Sequence, residues 1–476
     1  MRRVTRRAWL ALALVAGTAS SWAFGASAAD DAPQGLVVAE GGGSASADWA
    51  REAAERMVAH AREHLEVDAV RVAILGGESR AMRRHFEAAG ASAVLELGFA
   101  EDDAARDELA TTHAVWMVGG DQSRYARLWN DTPVEAHMEA LWEDGGAIGG
   151  SSAGCAVLGQ WVYDAREGSL DEREALGDGA HPDLTLTDAF LELVPGVLFD
   201  THFTERGRLA RLATMCTHLW TEDESIVAVG LDDRTAFVVD GATGVGEVIG
   251  EGSATVLVFD ESTRVERPRR GAAPHLRGAR CEVLVAGYAF DLGARAVTAR
   301  PEHATTEFPP PVGVVLDADL DAIDGDDAAA AELGSVTIVG LDDPRALIEG
   351  RLAVRPGRGL AAGLVVVPRA FADADLDEVT VGGALFALAR GGADQAVLLG
   401  PSVRLERRGP TRLAVEGRGA RPHRSVVVLD ARGRVSTAAS TARAKGDGEP
   451  DRTRQSVALE GLRLALVPPG ATLDLD

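Results

Sequence analysis

The chain has 476 residues, more than one hydrophobic core usually organises, and a 46% hydrophobic content typical of globular proteins, so two domains are expected. Lys and Arg total 48 against 73 Asp plus Glu, a formal charge of -25, which argues against a nucleic-acid or anionic-membrane surface and fits a cationic partner. Cys155, Cys216 and Cys281 are too few and too far apart for a disulfide scaffold or a Cys-based zinc site, although one pair could close in an oxidising compartment; the histidines are scattered, and no metal or other cofactor is expected.

The first 28 residues, MRRVTRRAWLALALVAGTASSWAFGASA, read as a cleavable export signal: arginines, an apolar run too short to span a bilayer, and the small residues Ala26, Ser27 and Ala28. Thr5 to Leu10 resembles a twin-arginine signal with Trp9 in place of the more usual Phe; an ordinary Sec signal is the alternative. Cleavage would remove four arginines and no acid, leaving a still more acidic protein outside the cytoplasm. With no cysteine near the cleavage site, no lipid anchor is expected.

From residue 34 to residue 300, short apolar runs alternate with helical patterns, which predicts an α/β domain with a largely parallel sheet flanked by helices. A helix over Asp48 to Leu65, with Asp48 as its N-cap, is followed by strands at VRVAIL (Val70 to Leu75), AVWMVG (Ala114 to Gly119) and GAIGG (Gly146 to Gly150). His60 and His64 on that helix read as a solvated face. Further strands are predicted at VPGVLFD (Val194 to Asp200), SIVAVGL (Ser225 to Leu231) and TAFVVD (Thr235 to Asp240), with a helix over Leu209 to Leu219. The segment 301–313, containing EFPPPVG, reads as a linker because consecutive prolines forbid helix and interrupt strand ladders. Beyond it, 314–476 reads as a smaller β-rich domain of unassigned role. The sequence DADLD occurs twice there, at Asp317 to Asp321 and Asp373 to Asp377, which raises an internal repeat; the first copy resembles a calcium loop in its alternate aspartates, but Ala322 stands where an EF-hand needs glycine and no glutamate closes it, so solvated acidic turns are the reading.

The stretch GAIGGSSAGCAV carries the chemistry. An apolar strand, then Gly150, Ser151, Ser152, Ala153 and Gly154, then a helix, is the order of a nucleophile elbow, whose tight turn exposes a strained serine between small neighbours. In that frame Ser152 is the nucleophile, Ser151 the intervening residue and Cys155 a core residue. A serine needs a base, and His202 follows a predicted strand end, at the carboxyl edge where a parallel sheet collects its ligand sites. Arg206, Arg208 and Arg211 crowd the start of the next helix, whose dipole disfavours cations, which points to a bound anion; local ion pairing, as with Glu205, is the alternative.

These residues resemble the cyanophycinase-like members of peptidase family S51, on a fold like that of class I glutamine amidotransferases. The resemblance rests on VWMVGGDQ (Gly119 to Gln122), GGSSAG around Ser152, DTHFTERGRLARL (Asp200 to Leu212) and VGLDDRTAFVV around Asp232 and Asp233, all within residues 34–300. It implies a Ser-His-acid triad with an oxyanion hole from the Ala153 and Gly120 N–H groups, and substrate contacts from Gln122, Asp200, Arg206, Arg208 and Arg211. It also implies an acid between serine and histidine, where Asp164, Glu167, Asp171 and Glu172 qualify; Glu167 is taken first and Asp171 next, with Asp233 read as structural and kept as a distant alternative. Thr201 stands where the family usually has Gln.

The implied activity is hydrolysis of cyanophycin, a poly-aspartate bearing arginine branches, to β-aspartyl-arginine dipeptides by an exported serine exopeptidase. An aspartyl or isoaspartyl dipeptidase acting on ordinary peptides is the alternative, and a non-catalytic exported binding protein is a third. The expected partner is a peptide or cyanophycin-like substrate, with no nucleic acid and no membrane anchor, and a homodimer is the expected assembly.

Overall fold

Apolar runs of four to six residues, each closed by a turn signal, set the first half of the fold. A computed structural model of the chain describes residues 35–45, 48–221, 226–308, 310–311, 313–347, 349–418, 424–444 and 452–476. The expected export signal, 1–28, lies outside the described residues. The first elements are β1 (Leu36–Glu40), α1 (Asp48–His64), β2 (Arg71–Leu75), α2 (Arg80–Ala88), β3 (Ala93–Gly98), α3 (Asp103–Leu109), β4 (Ala114–Met117), α4 (Gln122–Trp129), α5 (Pro133–Glu143) and β5 (Ala147–Ser151). Their strands run parallel in the order β1-β5-β4-β2-β3. Helix α1 buries Trp49, Ala53, Met57 and Ala61, a face spaced by four residues, against this sheet. Side-chain caps start the other helices: Ser79, Asp102, Asp121 and Thr132 each accept a backbone N–H of the first turn. Asp48, expected as a cap, is the first helical residue of α1.

After β5 come β6 (Gly159–Tyr163), α6 (Glu172–Gly177), β7 (Leu186–Thr187), β8 (Val194–Asp200), α7 (Leu209–Leu219) and β9 (Ile226–Leu231). Strands β6, β8 and β9 are parallel and open a second sheet. The chain then turns antiparallel through β10 (Thr235–Asp240), β11 (Val245–Gly250), β12 (Ser253–Phe259), β13 (Arg264–Val265), β14 (Leu276–Val285), β15 (Ala289–Asp291) and β16 (Ala296–Ala299). Strands β10, β11, β15 and β16 extend the first sheet beyond β1, giving a nine-stranded sheet that is parallel on one side of β1 and antiparallel on the other.

The C-terminal region contributes β17 (Val315–Leu316), β18 (Ala322–Asp324), β19 (Gly334–Val339), β20 (Ala353–Pro356), β21 (Ala361–Val367), α8 (Asp377–Ala389), β22 (Gln395–Leu398), β23 (Val403–Arg407), β24 (Arg412–Gly417), β25 (Val426–Asp430), β26 (Ser436–Ala444), β27 (Arg452–Val467) and β28 (Thr472–Asp474). It is β-rich, and the protein as a whole is of the α/β class. Its sheet does not stand apart. Strand β27 pairs antiparallel with β14, Cys281 opposite Leu462, so that β19, β21, β22, β25 and β27 continue the sheet that β6, β8, β9, β12 and β14 begin. One core accordingly runs from Leu198, Phe203 and Met215 to Leu385, Leu429 and Leu464. A boundary drawn at 301–313 separates composition but not packing, because a pairing between β14 and β27 leaves no local trace in sequence. The two DADLD copies form the same local turn, in which the first aspartate side chain accepts the N–H two residues on and its carbonyl the leucine N–H three residues on, but the first leads to β18 and the second into α8.

Candidate active site

The elbow forms at the end of β5. Ser152 has φ +53°, in the left-handed region, and the chain leaves through a single 3-10 turn, Ser152–Gly154, where a helix was expected. Both flanking glycines are sterically required. A Cβ on Gly150 would lie 2.5 Å from the Gly154 carbonyl carbon, and one on Gly154 would lie 2.4 Å from the Met117 carbonyl oxygen. Cys155 is fully buried, and that burial pushes its thiol well above the ordinary range, which suits a core residue and not a nucleophile. All three cysteines are free and buried.

Strand β8 delivers the base. It ends at Asp200, and two residues later His202 adopts φ +46°, its own N–H donating to the Gly41 carbonyl at 2.9 Å. Its Nε2 lies 2.8 Å from Ser152 Oγ, and its Nδ1 lies 2.5 Å from Asp233 Oδ1. Nucleophile, base and orienting acid are therefore in line.

The acid differs from the one expected. Glu167 is exposed on the loop between β6 and α6, and the carboxylate on His202 belongs to Asp233, after β9. The other candidates serve elsewhere: Asp164 accepts the Thr185 hydroxyl, Asp171 caps α6 in a reciprocal pair with Glu174, and buried Glu172 accepts the Ala210 and Arg211 N–H groups at the start of α7. The signal lay in topology. Strand β9 runs parallel beside β8, Asp200 opposite Gly230, so whatever follows β9 emerges next to His202. Of the two adjacent aspartates there, Asp232 is the structural one: 1% exposed, it accepts the Thr204 N–H at 3.0 Å and the Ser253 N–H and hydroxyl at 2.8 Å each.

The Gly119–Gly120 turn after β4 abuts the nucleophile. A Cβ on Gly119 would sit 3.3 Å from Ser152 Cβ, while Gly120, at φ +145°, faces open space. The Tyr125 hydroxyl fixes this turn by donating to the Val118 carbonyl at 2.6 Å, and burial pushes its phenol up to about 12. The structure thus brings the Gly119–Gly120 turn to the same serine that Ala153 follows.

The cluster expected to bind substrate divides. Arg211 donates Nε to Asp200 Oδ2 at 3.1 Å, pairs Nη2 with Oδ1, and donates Nη1 to the Leu170 carbonyl at 2.9 Å. Arg208 donates to the Thr201 carbonyl at 2.5 Å and lies 3.5 Å from Asp200. Burial would raise the Asp200 carboxyl, but the two guanidiniums outweigh it and hold it below the ordinary carboxylate value. Burial, and next the Arg211 charge, push Arg208 down to about 9. Asp200, Arg208 and Arg211 are buried and engaged with one another, so the structure turns them inward, under the loop that carries His202, instead of toward a substrate. Arg206 differs. It is exposed on the 3-10 turn Thr204–Arg206, and among the described residues its guanidinium makes no ion pair. Gln122, half-buried at the start of α4, reaches the Tyr163 carbonyl at 3.4 Å.

For a metal, Glu174, His181 and Asp183 bring one ligand atom each within 4.8 Å of one another. Two of them are already committed: Glu174 accepts the Asp171 N–H at 2.9 Å and His181 Nδ1 the Asp183 N–H at 3.3 Å.

Comparison with known proteins adds ancestry to this geometry. A model of Peptidase family S51 matches residues 79–245, a span that holds Gly119, Ser152, His202 and Asp233. A cyanophycinase of Trichormus variabilis is 30% identical over 236 residues, covering 47% of this chain and 73% of that protein, and one of Nostoc sp. matches with the same figures. A cyanophycinase of Synechococcus elongatus is 32% identical over 161 residues, and there the chain spans just under half of the relative, 45%. Among solved structures, a peptidase from an acI-B1 Actinobacterium aligns with a TM-score of 0.38 and 17% identity, covering 55% of this chain and 98% of that one.

Proposed function

Because the chain belongs to peptidase family S51, we propose that it is a serine peptidase of the cyanophycinase type, exported from the cytoplasm and releasing β-aspartyl-arginine dipeptides from cyanophycin. The observation that carries this reading is the line from Ser152 Oγ through the His202 imidazole to Asp233, on an elbow that strains the serine outward. Ser152 attacks an aspartyl peptide carbonyl while His202 Nε2 takes its proton. Asp233 holds the Nδ1–H tautomer and stabilises the imidazolium. The Ala153 and Gly120 N–H groups receive the charge that develops on the carbonyl oxygen, each donor contributing on the order of 3 kcal/mol. His202 then returns the proton to the leaving amine, and water releases the acyl group by the same route in reverse.

Arg206 and Gln122 are the substrate contacts in this reading, Arg206 pairing with a branch carboxylate. The acidic chain, at -25, attracts the guanidinium branches from a distance. Incubation of purified protein with cyanophycin, with products identified by mass, tests the assignment: β-aspartyl-arginine is expected, with casein left uncut. Cleavage of aspartyl dipeptides with cyanophycin untouched would favour the dipeptidase alternative, to which Thr201 lends some support, because its side chain is buried near Arg208 and not turned to a ligand.

The arginines separate experimentally. Arg206→Ala is expected to raise KM for cyanophycin about tenfold, as loss of one charge-assisted contact does, and to leave fluorophosphonate labelling of Ser152 nearly unchanged. Arg211→Ala is instead expected to destabilise the fold by about 3–5 kcal/mol, seen as a lowered Tm, since it strands the Asp200 carboxylate in the interior. A normal Tm with raised KM in Arg211→Ala would return that residue to the substrate site. For export, the expectation is a mature N-terminus at Ala29 in protein recovered from a producing cell, read by N-terminal sequencing. Intact residues 1–28 on exported protein would refute cleavage.

A further inference from the structure

Strand β1 ends in an acid that the triad does not use. Glu40 closes the apolar run LVVAE, is 0% exposed, and lies opposite Ser151 in the parallel register with β5, one residue before the nucleophile. Its Oε1 accepts two backbone N–H groups, from Gly42 at 2.9 Å and from Arg234 at 3.2 Å. Its Oε2 is buried and takes up no hydrogen bond of good geometry, with the Ser151 hydroxyl beside the carboxyl. Arg234 commits its guanidinium to Glu251 at 2.9 Å, and among the described residues Glu40 pairs with no cation.

The two donors belong to the two segments that hold the imidazole. Gly41 accepts the His202 N–H at 2.9 Å, and Gly42 lies so close to the ring that a Cβ there would be 2.1 Å from His202 Cε1. Arg234 follows Asp233 directly, and its N–H is shared between Glu40 and the Gly42 carbonyl, 2.7 Å away. One carboxyl oxygen therefore ties the glycine loop to the turn bearing the acid, with the imidazole gripped between them.

We propose that Glu40 is a positioning residue for the triad: a neutral carboxylic acid that clamps the Gly41–Gly43 loop to the Asp233–Arg234 turn and so sets His202 between Ser152 and Asp233. Neutrality follows from the surroundings. The groups that face Glu40 are Ser151 and Cys155 from the β5 side, Gly42 from its own loop, and Asp233 and Arg234 from the turn before β10; a second carboxylate beside Asp233, dry and without a counter-ion, is the costlier state. Burial and, in the same direction, the Asp233 charge push the Glu40 carboxyl well above the ordinary range, and hydrogen bonds from Ser151, Gly42 and Arg234 offset only part of this.

The inference rests on the Ser152–His202–Asp233 reading, and its test keeps the two apart. Fluorophosphonate acylation is followed to saturation in the wild-type chain, Glu40→Leu and Glu40→Gln, alongside thermal unfolding. Leucine fills the space but accepts nothing, so the maximal acylation rate is expected to fall about 100-fold, as it does when a catalytic group is misplaced by an ångström, with the half-saturating concentration unchanged. Glutamine supplies an uncharged acceptor at the same place and is expected to restore the rate to within about threefold of wild type. A folded Glu40→Leu that is acylated at the wild-type rate overturns the proposal. So does a folded Glu40→Gln that is as slow as the leucine variant, and this second arm stands alone if Glu40→Leu does not fold. A wild-type chain that the probe does not label overturns the triad itself, and the clamp with it.

Discussion

Ser152→Ala is expected to lower hydrolysis about 10⁶-fold with the fold intact, because the nucleophile and its base act as a unit and neither works alone. Ser152 is the hydroxyl on His202 Nε2, at 2.8 Å, and alanine fits the same turn at little further conformational cost. The neighbours offer no substitute. The Ser151 hydroxyl lies beside Glu40, and the Cys155 thiol is buried with its ionisation suppressed. Ser151→Ala and Cys155→Ala should accordingly keep most of the activity and their fluorophosphonate labelling, both of which Ser152→Ala loses. Dipeptide release from cyanophycin at the wild-type rate by Ser152→Ala would end the mechanism.

The second large effect distinguishes the acids. Asp233→Asn is expected to lower kcat about 10⁴-fold while KM changes little, since an amide can donate to Nδ1 and so favour the tautomer that leaves Nε2 unable to accept the serine proton. Glu167→Gln, altering an exposed loop carboxylate, should stay within about twofold of wild type, the usual outcome for a surface change. Steady-state kinetics on the two variants decide the matter. A crippled Glu167→Gln beside an active Asp233→Asn would mean that the loop closes over His202 during turnover and that the observed pair is a resting arrangement.

What the sequence revealed depended on range. Ser152 and His202 were legible because an elbow is written in five consecutive residues and a strand end in the run before it. Strands at Val194–Asp200 and Thr235–Asp240, and the helix Leu209–Leu219, fall where the apolar periodicity put them. The acid was not legible from spacing, since its place beside His202 comes from the pairing of β8 with β9 and not from its distance along the chain. Arg208 and Arg211 misled for a related reason. A row of cations at a helix start signals a nearby anion, but sequence cannot say whether that anion is a ligand or, as here, the buried Asp200. The C-terminal region was read as β-rich, but the pairing that joins its sheet to the first domain's was not legible, because pairing across nearly two hundred residues leaves no mark on either partner.

That pairing also governs the order of events in the cell. Strand β14 needs β27 on one flank, and the ribosome makes β27 nearly two hundred residues after β14. Until it arrives, a strand as apolar as Cys281, Val283, Leu284 and Val285 presents an open edge in the middle of the largest sheet. Contact order is correspondingly high, so final assembly is slow and its intermediates are exposed to aggregation. A stop between β16 and β27 would therefore leave β14 without that partner, although the nucleophile, base and acid would all be encoded.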